Sequence, residues 1–427
     1  MKRFMRRGGN YNNMSNSGPK YINANNRRAN TNAFRLVFID RQLYESQGIH
    51  ISALDKKSLN PSLEGENINR GVRLVGFARP PYLTAFVMKS YNNIWDRVIS
   101  FENLLLAYRK ASRQKHYRLE VLRFTENLEE NLVEIQNQLI WNEYKPSPAR
   151  RFCVFEPKKR LISAPAFRDR VVHHALCAVI EPLLDKRFIY DSYACRIGKG
   201  NSKVVDRLQD FTRRAGRCYG DFYAFKGDIK SFFPSTNLQI LKLFIKRTIA
   251  DHGVIDLVNT ILDAGGFVGL PIGALTSQLL ANYALDWLDH YVKEILKIKF
   301  YIRYMDDFVV LTKTAREARE ISGLLENFIE SVLGLTMNPK SKVIKGKCGI
   351  PFCGFRIWPT HKTPLKPAFK RSIRRLRKLA FLHNSGQITL KRFRESLMSF
   401  LGHYKHCNAR RSINSALNKI TLIGGDK

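Results

Sequence analysis

The chain has 427 residues, 44% of them hydrophobic, which is too long for one compact domain and predicts two or three domains with a substantial core. Its 72 Lys and Arg residues outnumber its 36 Asp and Glu residues, and the formal net charge of +36 predicts a polyanionic partner such as nucleic acid but no particular activity. No run of about 18 apolar residues is present to span a membrane, and seven dispersed cysteines without a C-x-x-C pair are typical of reduced thiols in a cytoplasmic protein.

Residues 1–75 differ in composition from the remainder of the chain. Between Asn10 and Asn32, nine of 23 residues are asparagine, mixed with Ser, Gly and Arg. Such a segment buries too little apolar surface to offset the entropy of ordering, so we expect a disordered extension.

From Ser100 the hydrophobic pattern changes and predicts regular structure. Apolar residues three and four positions apart predict amphipathic helices at 101–114 and 118–139. A β-hairpin fits 151–165, and a helix follows through 170–182.

The second half of the pattern mixes strands with helices. A buried strand is predicted at 223–233, and a hairpin at 300–312. The other predicted elements are helices at 237–249, 270–296 and 315–333, short strands within 342–358, and two or three basic helices after Pro367. Together these elements predict an α+β fold.

Three aspartates stand out because each ends or interrupts an apolar strand. Asp306 and Asp307 lie between β-forming runs in FYIRYMDDFVVLT (300–312), and Asp228 ends a run in FKGDIKSFFPS (225–235). Neighbouring carboxylates beside a sheet repel one another and are costly to desolvate, and a divalent cation removes that cost. Two strands that deliver Asp to one sheet edge predict a two-metal site. For the adjacent pair taken alone, a solvated hairpin turn is the alternative.

These residues resemble the palm of reverse transcriptases, in the motif YMDD that contains Asp306 and Asp307 and in Phe233, which follows Asp228 by five positions. The resemblance implies that Asp228 and Asp306 are the main metal ligands, with Asp307 and Ile229 in the same metal-binding set. It implies two Mg²⁺ ions, and Mn²⁺ suits carboxylate ligands equally. It also implies that Phe233 is a steric gate whose ring occupies the space of a ribose 2′-hydroxyl and so selects deoxynucleotides. An ordinary core aromatic is the alternative for Phe233.

The resemblance covers roughly residues 100–410 and implies a right-hand polymerase. Residues 76–360 are then the fingers and palm, and residues 361–427 are a helical thumb whose Lys and Arg face a duplex backbone. Template RNA, a primer with its cDNA, and deoxynucleoside triphosphates (dNTPs) are the implied partners. We expect neither an RNase H domain nor an endonuclease.

A basic segment, EPKKRLISAPAFRDRVVHHAL (156–176), resembles the fingers of bacterial, intron-like reverse transcriptases. The resemblance implies that template and incoming phosphates meet four side chains: Lys158, Arg160, Arg168 and Arg170. Arg binds phosphate in a bidentate manner, whereas Lys acts as a point charge. Arg160 is the expected contact for the triphosphate, and a solvated basic hairpin is the alternative.

The segment GLPIGALTSQLLANYALDWLD (269–289) resembles a subset of that family. Most reverse transcriptases have Gln before the Gly and Ser-Pro after it, whereas here Ile272 precedes Gly273, and Gln278 follows Ser277. This variant resembles the enzymes of diversity-generating retroelements. An amide at position 272 could hydrogen-bond around the nascent base pair, whereas Ile leaves discrimination to shape alone and should lower it. The family implies mutagenic copying, with errors concentrated at template adenines.

The segment LTMNPKSKV (335–343) resembles the one that supplies a lysine near the leaving pyrophosphate. The family pattern commonly ends in Lys-Lys-Thr, whereas this chain has Lys340-Ser341-Lys342. Lys340 is the preferred candidate for the general acid, and Lys342 is the alternative.

The N-terminal extension bears on the same subtype. Diversity-generating retroelements hold an AAC-rich template repeat near the polymerase gene, and RGGNYNNMSNSGPKYINANNRRANTNAFRLV (7–37) resembles such a repeat in translation. We therefore hypothesise that residues 1 to about 75 are a template repeat and spacer read through in frame. An independent Asn-rich RNA-binding tail is the alternative. The retroelement resemblance further implies a structured template RNA and a small basic helical partner, the accessory variability determinant.

Two other interpretations stay open. A group II intron-type or defence-associated reverse transcriptase shares the fingers and YMDD, although intron enzymes usually carry a maturase region beyond the thumb. From another class, a non-catalytic RNA-binding protein accounts for the charge but not for three carboxylates and an aromatic gate. In each case we expect a bacterial or phage-encoded protein of the cytoplasm.

Overall fold

The computed structural model describes residues 90–422, apart from residues 156, 157, 265 and 267. The extension predicted to be disordered, with its hypothetical template repeat, lies outside the described residues. Within residues 90–422, the model contains no helix that is both long and apolar enough to cross a bilayer.

Helices and strands are mixed along the chain, as the α+β prediction requires. The helices are α1 Trp95–Ile99, α2 Phe101–Ser112, α3 Leu119–Glu126, α4 Leu128–Ile140, α5 Phe167–Asp185, α6 Asn201–Tyr219, α7 Phe232–Ser235, α8 Leu238–Thr248, α9 His252–Asp263, α10 Leu275–His290, α11 Ala315–Ser331, α12 Lys366–Asn384, α13 Leu390–Tyr404 and α14 Arg410–Leu417. The strands are β1 Arg150–Val154, β2 Arg160–Ala164, β3 Tyr223–Gly227, β4 Tyr301–Tyr304, β5 Asp307–Thr312, β6 Lys342–Lys345, β7 Ile350–Phe352, β8 Phe355–Ile357 and β9 Lys362–Pro364.

The first five helices pack through their apolar stripes. Tyr108 of α2, Phe124 of α3 and Phe167 of α5 form an aromatic cluster with ring centroids 5.2 to 6.1 Å apart. The prediction of one helix at 118–139 is wrong, because Asn127 takes φ −121° and ψ 55° and separates α3 from α4. Asn favours such non-helical conformations because its side chain competes with the backbone for hydrogen bonds.

A four-stranded antiparallel sheet with the order β4-β5-β3-β6 forms the centre of the fold. Alternate side chains enter opposite faces, as the two-residue period of a strand dictates. Phe225 and Val310 pack into one core cluster, and Ala224 and Leu311 pack into a second cluster on the other face. Helix α11 packs on the sheet, as does α6. Strands β3, β4 and β5 are therefore largely buried on both faces.

Two predicted boundaries near this sheet are wrong. The strand predicted at 223–233 ends at Gly227, because Ser231 adopts a left-handed conformation with φ 50° and the chain then forms the short helix α7. The helix predicted at 270–296 begins only at Leu275, because Gly273 has φ 126°, which no helix accommodates. Helices α6 and α9 were not predicted.

The C-terminal part consists of the three-stranded sheet β7-β8-β9 and helices α12 to α14, which confirms the predicted basic helices. The N–H of Leu365, at the start of α12, donates to the Gly354 carbonyl in the β7–β8 turn at 2.9 Å. Phe355 of β8 also lies against Tyr404 of α13, with ring centroids 6.2 Å apart. The helices are thus anchored to the β7–β8 turn.

Candidate active site

Strand pairing brings the three predicted carboxylates to one end of the central sheet. Gly227 pairs with Phe308, so continuing that register by one residue places Asp228 opposite Asp307. Tyr304 pairs with Asp307, which leaves Met305 and Asp306 as the two residues of the β4–β5 turn.

Gly227 permits this close strand pairing. A Cβ atom at Gly227 would lie 2.2 Å from the Phe308 ring, so the ring covers the backbone where Asp228 begins. A larger residue fits here only if the Phe308 ring moves.

Burial makes the carboxylates of Asp306 and Asp307 costly to ionise. It raises the pKa of Asp306 to about 6, and the charges of Asp228 and Asp307 act in the same direction while Arg160 acts against them. Burial also raises the pKa of Asp307, against the attraction of Lys226, whose Nζ lies 3.0 Å from Asp307 Oδ1. Each carboxylate thus carries charge that the surrounding protein only partly compensates.

Asp228 is held by the segment that precedes β6. Asn338 donates its side-chain amide to Asp228 Oδ2 at 2.5 Å, and its backbone N–H donates to the Asp228 carbonyl at 2.7 Å. The Asp228 N–H in turn donates to Ser341 Oγ at 3.2 Å. Lys340, the predicted general acid, is exposed, and its N–H donates to Asn338 Oδ1 at 3.1 Å. The structure therefore places Lys340 two residues beyond the contact that orients Asp228.

The oxygen donors suit divalent cations such as Mg²⁺ and Mn²⁺, which prefer carboxylate and carbonyl ligands. Partly compensated charge on Asp306 is the observation that favours a cation here. Ile229, the other predicted ligand, has a buried side chain and forms an antiparallel bridge with Met337. The two hydrogen bonds of this bridge run from the Lys230 N–H to the Thr336 carbonyl and from the Asn338 N–H to the Asp228 carbonyl, so they do not use the Ile229 carbonyl. Among the described residues, no group of three Asp, Glu, His or Cys side chains lies close enough together to bind a metal ion without rearrangement.

The predicted nucleotide-pocket segment joins the β1–β2 hairpin to α10. The Ser163 N–H donates to the Ile272 carbonyl at 2.8 Å. Gly273, at φ 126°, is so close to β2 that a Cβ atom would lie 2.6 Å from the Ser163 carbonyl oxygen. His173 then fixes the start of α10 through a 2.8 Å hydrogen bond to Thr276. Burial lowers the pKa of His173 to about 4, so this imidazole is neutral at physiological pH.

Phe233 and Gln278 border the same segment. The Leu270 N–H donates to the Phe233 carbonyl at 2.8 Å, and a Cβ atom at Gly269 would lie 2.5 Å from that oxygen. The Phe233 ring is partly buried beside Phe232, with centroids 5.6 Å apart. Gln278 is exposed, and its amide oxygen lies 3.7 Å from the Cys195 sulfur.

The four predicted basic residues of the fingers have different surroundings. Arg160 and Lys158 are exposed, and the charge of Arg160 acts on Asp306. Arg168 instead bonds Gln138, and Arg170 pairs with Glu120. The charge of Arg160 therefore acts on the predicted metal-binding carboxylate of Asp306, whereas Arg168 and Arg170 already have polar partners elsewhere in the fold.

Residues 145–357 match the family model described as reverse transcriptase (RNA-dependent DNA polymerase). The chain contains a reverse transcriptase domain. The matched residues include the central sheet and the β1–β2 hairpin, and the mixture of helices and strands confirms the predicted α+β fold class. Helices α12 to α14 lie beyond the matched residues, and their assignment to a thumb stays a prediction.

Relatives of the reverse transcriptase domain include bacterial and intron-encoded proteins. Protein YkfC of Escherichia coli is 27% identical over 274 residues, covering 53% of this chain and 71% of that protein. The group II intron-encoded protein LtrA of Lactococcus lactis is 26% identical, covering 51% of this chain and 36% of LtrA. The putative COX1/OXI3 intron 1 protein of Saccharomyces cerevisiae is 25% identical, with 57% and 36% coverage. The chain thus spans about a third of the length of these intron proteins.

Solved structures similar to this chain include an apo telomerase from Candida tropicalis, truncated from its C-terminal domain. It has a TM-score of 0.41 and 16% identity, covering 54% of this chain and 59% of that one.

Sequence reasoning missed the residues that hold the carboxylates of the reverse transcriptase domain. Lys226 pairs with Asp307, Asn338 binds Asp228, and Arg303 donates to the carbonyl of Met305. For Arg303 a signal was available, since a charged residue inside an apolar strand requires a buried partner. Lys226 also lies in an apolar strand and gives the same signal, whereas Asn338 lies in the polar segment 338–342, which gives none.

Proposed function

We propose that the protein is an RNA-directed DNA polymerase that uses two divalent cations. The observation that carries this proposal is the convergence of Asp228, Asp306 and Asp307 at one end of the palm sheet, where burial raises the pKa of Asp306 and of Asp307. A reverse transcriptase domain with intron-encoded relatives supports the same activity.

The residues of the site divide the work of nucleotide addition. Asp228 and Asp306 would hold the cations, aided by Asp307 and the Ile229 carbonyl. Two such ions would lower the pKa of a primer 3′-hydroxyl and would stabilise the triphosphate for in-line displacement. Arg160, the basic side chain that acts on Asp306, would bind the triphosphate.

The exposed Lys340 would protonate the leaving pyrophosphate. Phe233 would exclude ribonucleotides by occupying the space of a 2′-hydroxyl. Lys340 follows Asn338, whose side chain binds Asp228, by two residues, and Phe233 follows Asp228 by five; these positions support the two roles.

We further propose that the enzyme copies RNA with low fidelity, as in a diversity-generating retroelement, with the accessory variability determinant and a structured template RNA as partners. Ile272 supports this proposal, because an aliphatic side chain offers no hydrogen bond where the usual glutamine has an amide. A group II intron-type enzyme is the second candidate, favoured by the intron-encoded relatives.

Primer extension on a defined RNA template, with Mg²⁺ and all four dNTPs, tests the activity. We expect synthesis by the wild type and none by Asp306→Asn, while the affinity of that variant for RNA stays unchanged. Equal synthesis by the two proteins would exclude the proposed carboxylate role. Loss of RNA binding together with synthesis would show that the substitution does not isolate catalysis.

Sequencing of the cDNA separates the two candidates. Errors concentrated at template adenines, and reduced by Ile272→Gln, support the retroelement enzyme. Uniformly few errors, unaffected by that substitution, support the intron-type enzyme. The exposed Ile197 provides a control, and Ile197→Gln should leave the error spectrum unchanged.

A further inference from the structure

Arg303 is a fully buried cation in strand β4, two residues before the carboxylate-bearing turn. Neither its side chain nor that of its partner Asp289 on α10 is exposed to solvent. The pair is bidentate, with Arg303 Nε 2.7 Å from Asp289 Oδ1 and Nη2 2.6 Å from Oδ2. Tyr301 donates its hydroxyl to the same carboxylate at 2.7 Å. The buried charge is therefore paired and hydrogen-bonded, as its burial requires.

The guanidinium also contacts the turn itself. Arg303 Nη1 donates to the Met305 carbonyl at 3.0 Å. Met305 has φ 55°, a left-handed conformation that is strained for a residue with a side chain, and Gly, Asn or Asp is usual at such positions in two-residue hairpins. A fixed cation therefore holds the strained peptide group that leads directly into Asp306.

Two more segments are fixed by the same side chain. Nη2 of Arg303 donates to Ser192 Oγ at 3.2 Å, and Nη1 donates to Asn282 Oδ1 at 3.2 Å. Asn282 in turn donates to the Ala194 carbonyl at 2.6 Å. The loop before α6, helix α10 and the β4–β5 turn therefore share one anchor.

Stability alone is a weak reason for such a pair. Replacing a buried ion pair with apolar residues of similar volume is often neutral or stabilising. What apolar residues cannot replace is the hydrogen bond to the Met305 carbonyl, which fixes the direction of the turn.

We propose that Arg303, oriented by Asp289, is a positioning residue for the metal-binding turn. By holding Met305 it places the Asp306 carboxylate for the divalent cations. This inference rests on the proposed two-metal function and adds to it a residue that contacts neither metal nor nucleotide.

Two variants and one control test the proposal. Arg303→Met combined with Asp289→Leu and Tyr301→Phe removes the two charges and the hydroxyl that accompanies them. Arg303→Lys keeps the charge, but a single ammonium cannot hold Asp289 and Met305 as the planar guanidinium does. Arg316→Met is the matched control, because Arg316 lies on the surface.

Three assays are applied to each protein. The unfolding temperature in EDTA shows whether the variant is folded. Electron paramagnetic resonance measures bound Mn²⁺, and only the binding that is lost in Asp306→Asn is assigned to this site. Primer extension gives kcat and the KM for dNTP. We expect the triple variant to unfold near the wild-type temperature, to bind Mn²⁺ about tenfold more weakly and to lose about a hundredfold in kcat, because small misplacements of a reacting group have effects of that size. Its KM should change little, and Arg316→Met should match the wild type.

Wild-type Mn²⁺ affinity in both Arg303 variants would overturn the proposal. If the triple variant does not fold, Arg303→Lys decides the question: weaker Mn²⁺ binding supports positioning, and unchanged binding refutes it. Mn²⁺ binding needs no substrate. A wild type that binds Mn²⁺ but makes no DNA would therefore refute the polymerase function and still leave the role of Arg303 measurable.

Discussion

Replacing Asp306 with asparagine should stabilise the metal-free protein at neutral and alkaline pH. The substitution keeps the shape of the side chain and removes a negative charge that is buried near Asp228 and Asp307. A carboxyl group whose pKa is higher in the folded than in the unfolded chain opposes folding whenever it is ionised.

The size of the effect follows from the pKa. A rise from 3.8 to about 6 corresponds to about 3 kcal/mol, and solvent screening at this partly buried position reduces the expectation to about 1–3 kcal/mol. Between these pH values the folded wild type binds more protons than the unfolded chain, so its stability falls as pH rises through this window. The advantage of Asp306→Asn is therefore complete above about pH 6 and absent below about pH 4.

Urea unfolding in EDTA, at several pH values from 4 to 8, measures this difference. Asp221→Asn is the control, because Asp221 is exposed on the short connection between α6 and β3 and its replacement should change stability little. An Asp306→Asn variant no more stable than wild type at pH 8, or equally stabilised at pH 4, would refute the electrostatic reasoning. Adding Mg²⁺ should stabilise the wild type more than the variant.

Other substitutions test single contacts of the site. Gly273→Ala should lower stability by about 1–3 kcal/mol in urea unfolding and reduce synthesis, because the new methyl group would meet the Ser163 carbonyl in a strained backbone conformation. Lys226→Met should increase the Mn²⁺ affinity measured by electron paramagnetic resonance, because Lys226 competes with cations for the Asp307 carboxylate. Unchanged or weaker affinity would contradict this competition. Phe233→Ala should raise ribonucleotide incorporation in primer extension with little change in dNTP use. An unchanged ratio of ribonucleotide to deoxynucleotide incorporation would show that the Phe233 ring only contributes to packing.

Much of the fold could be predicted because the hydrophobic period of each segment agrees with its final environment. The hairpins at 151–165 and 300–312 and the basic C-terminal helices are confirmed. The errors occur where a single backbone conformation overrides the period, at Asn127 between α3 and α4 and at Gly273 before α10. Periodicity reports which face of a segment is buried, and it carries little information on such local breaks.

The three carboxylates could be found from the sequence, because acidic residues at the ends of apolar strands need compensation for their charge. How that charge is compensated depends on the tertiary structure. Lys226, Asn338 and Arg303 reach Asp307, Asp228 and the turn from positions 2 to 110 residues away along the chain. Such partnerships depend on strand register and helix packing, which bring distant side chains within about 3 Å. No local pattern in the sequence specifies them.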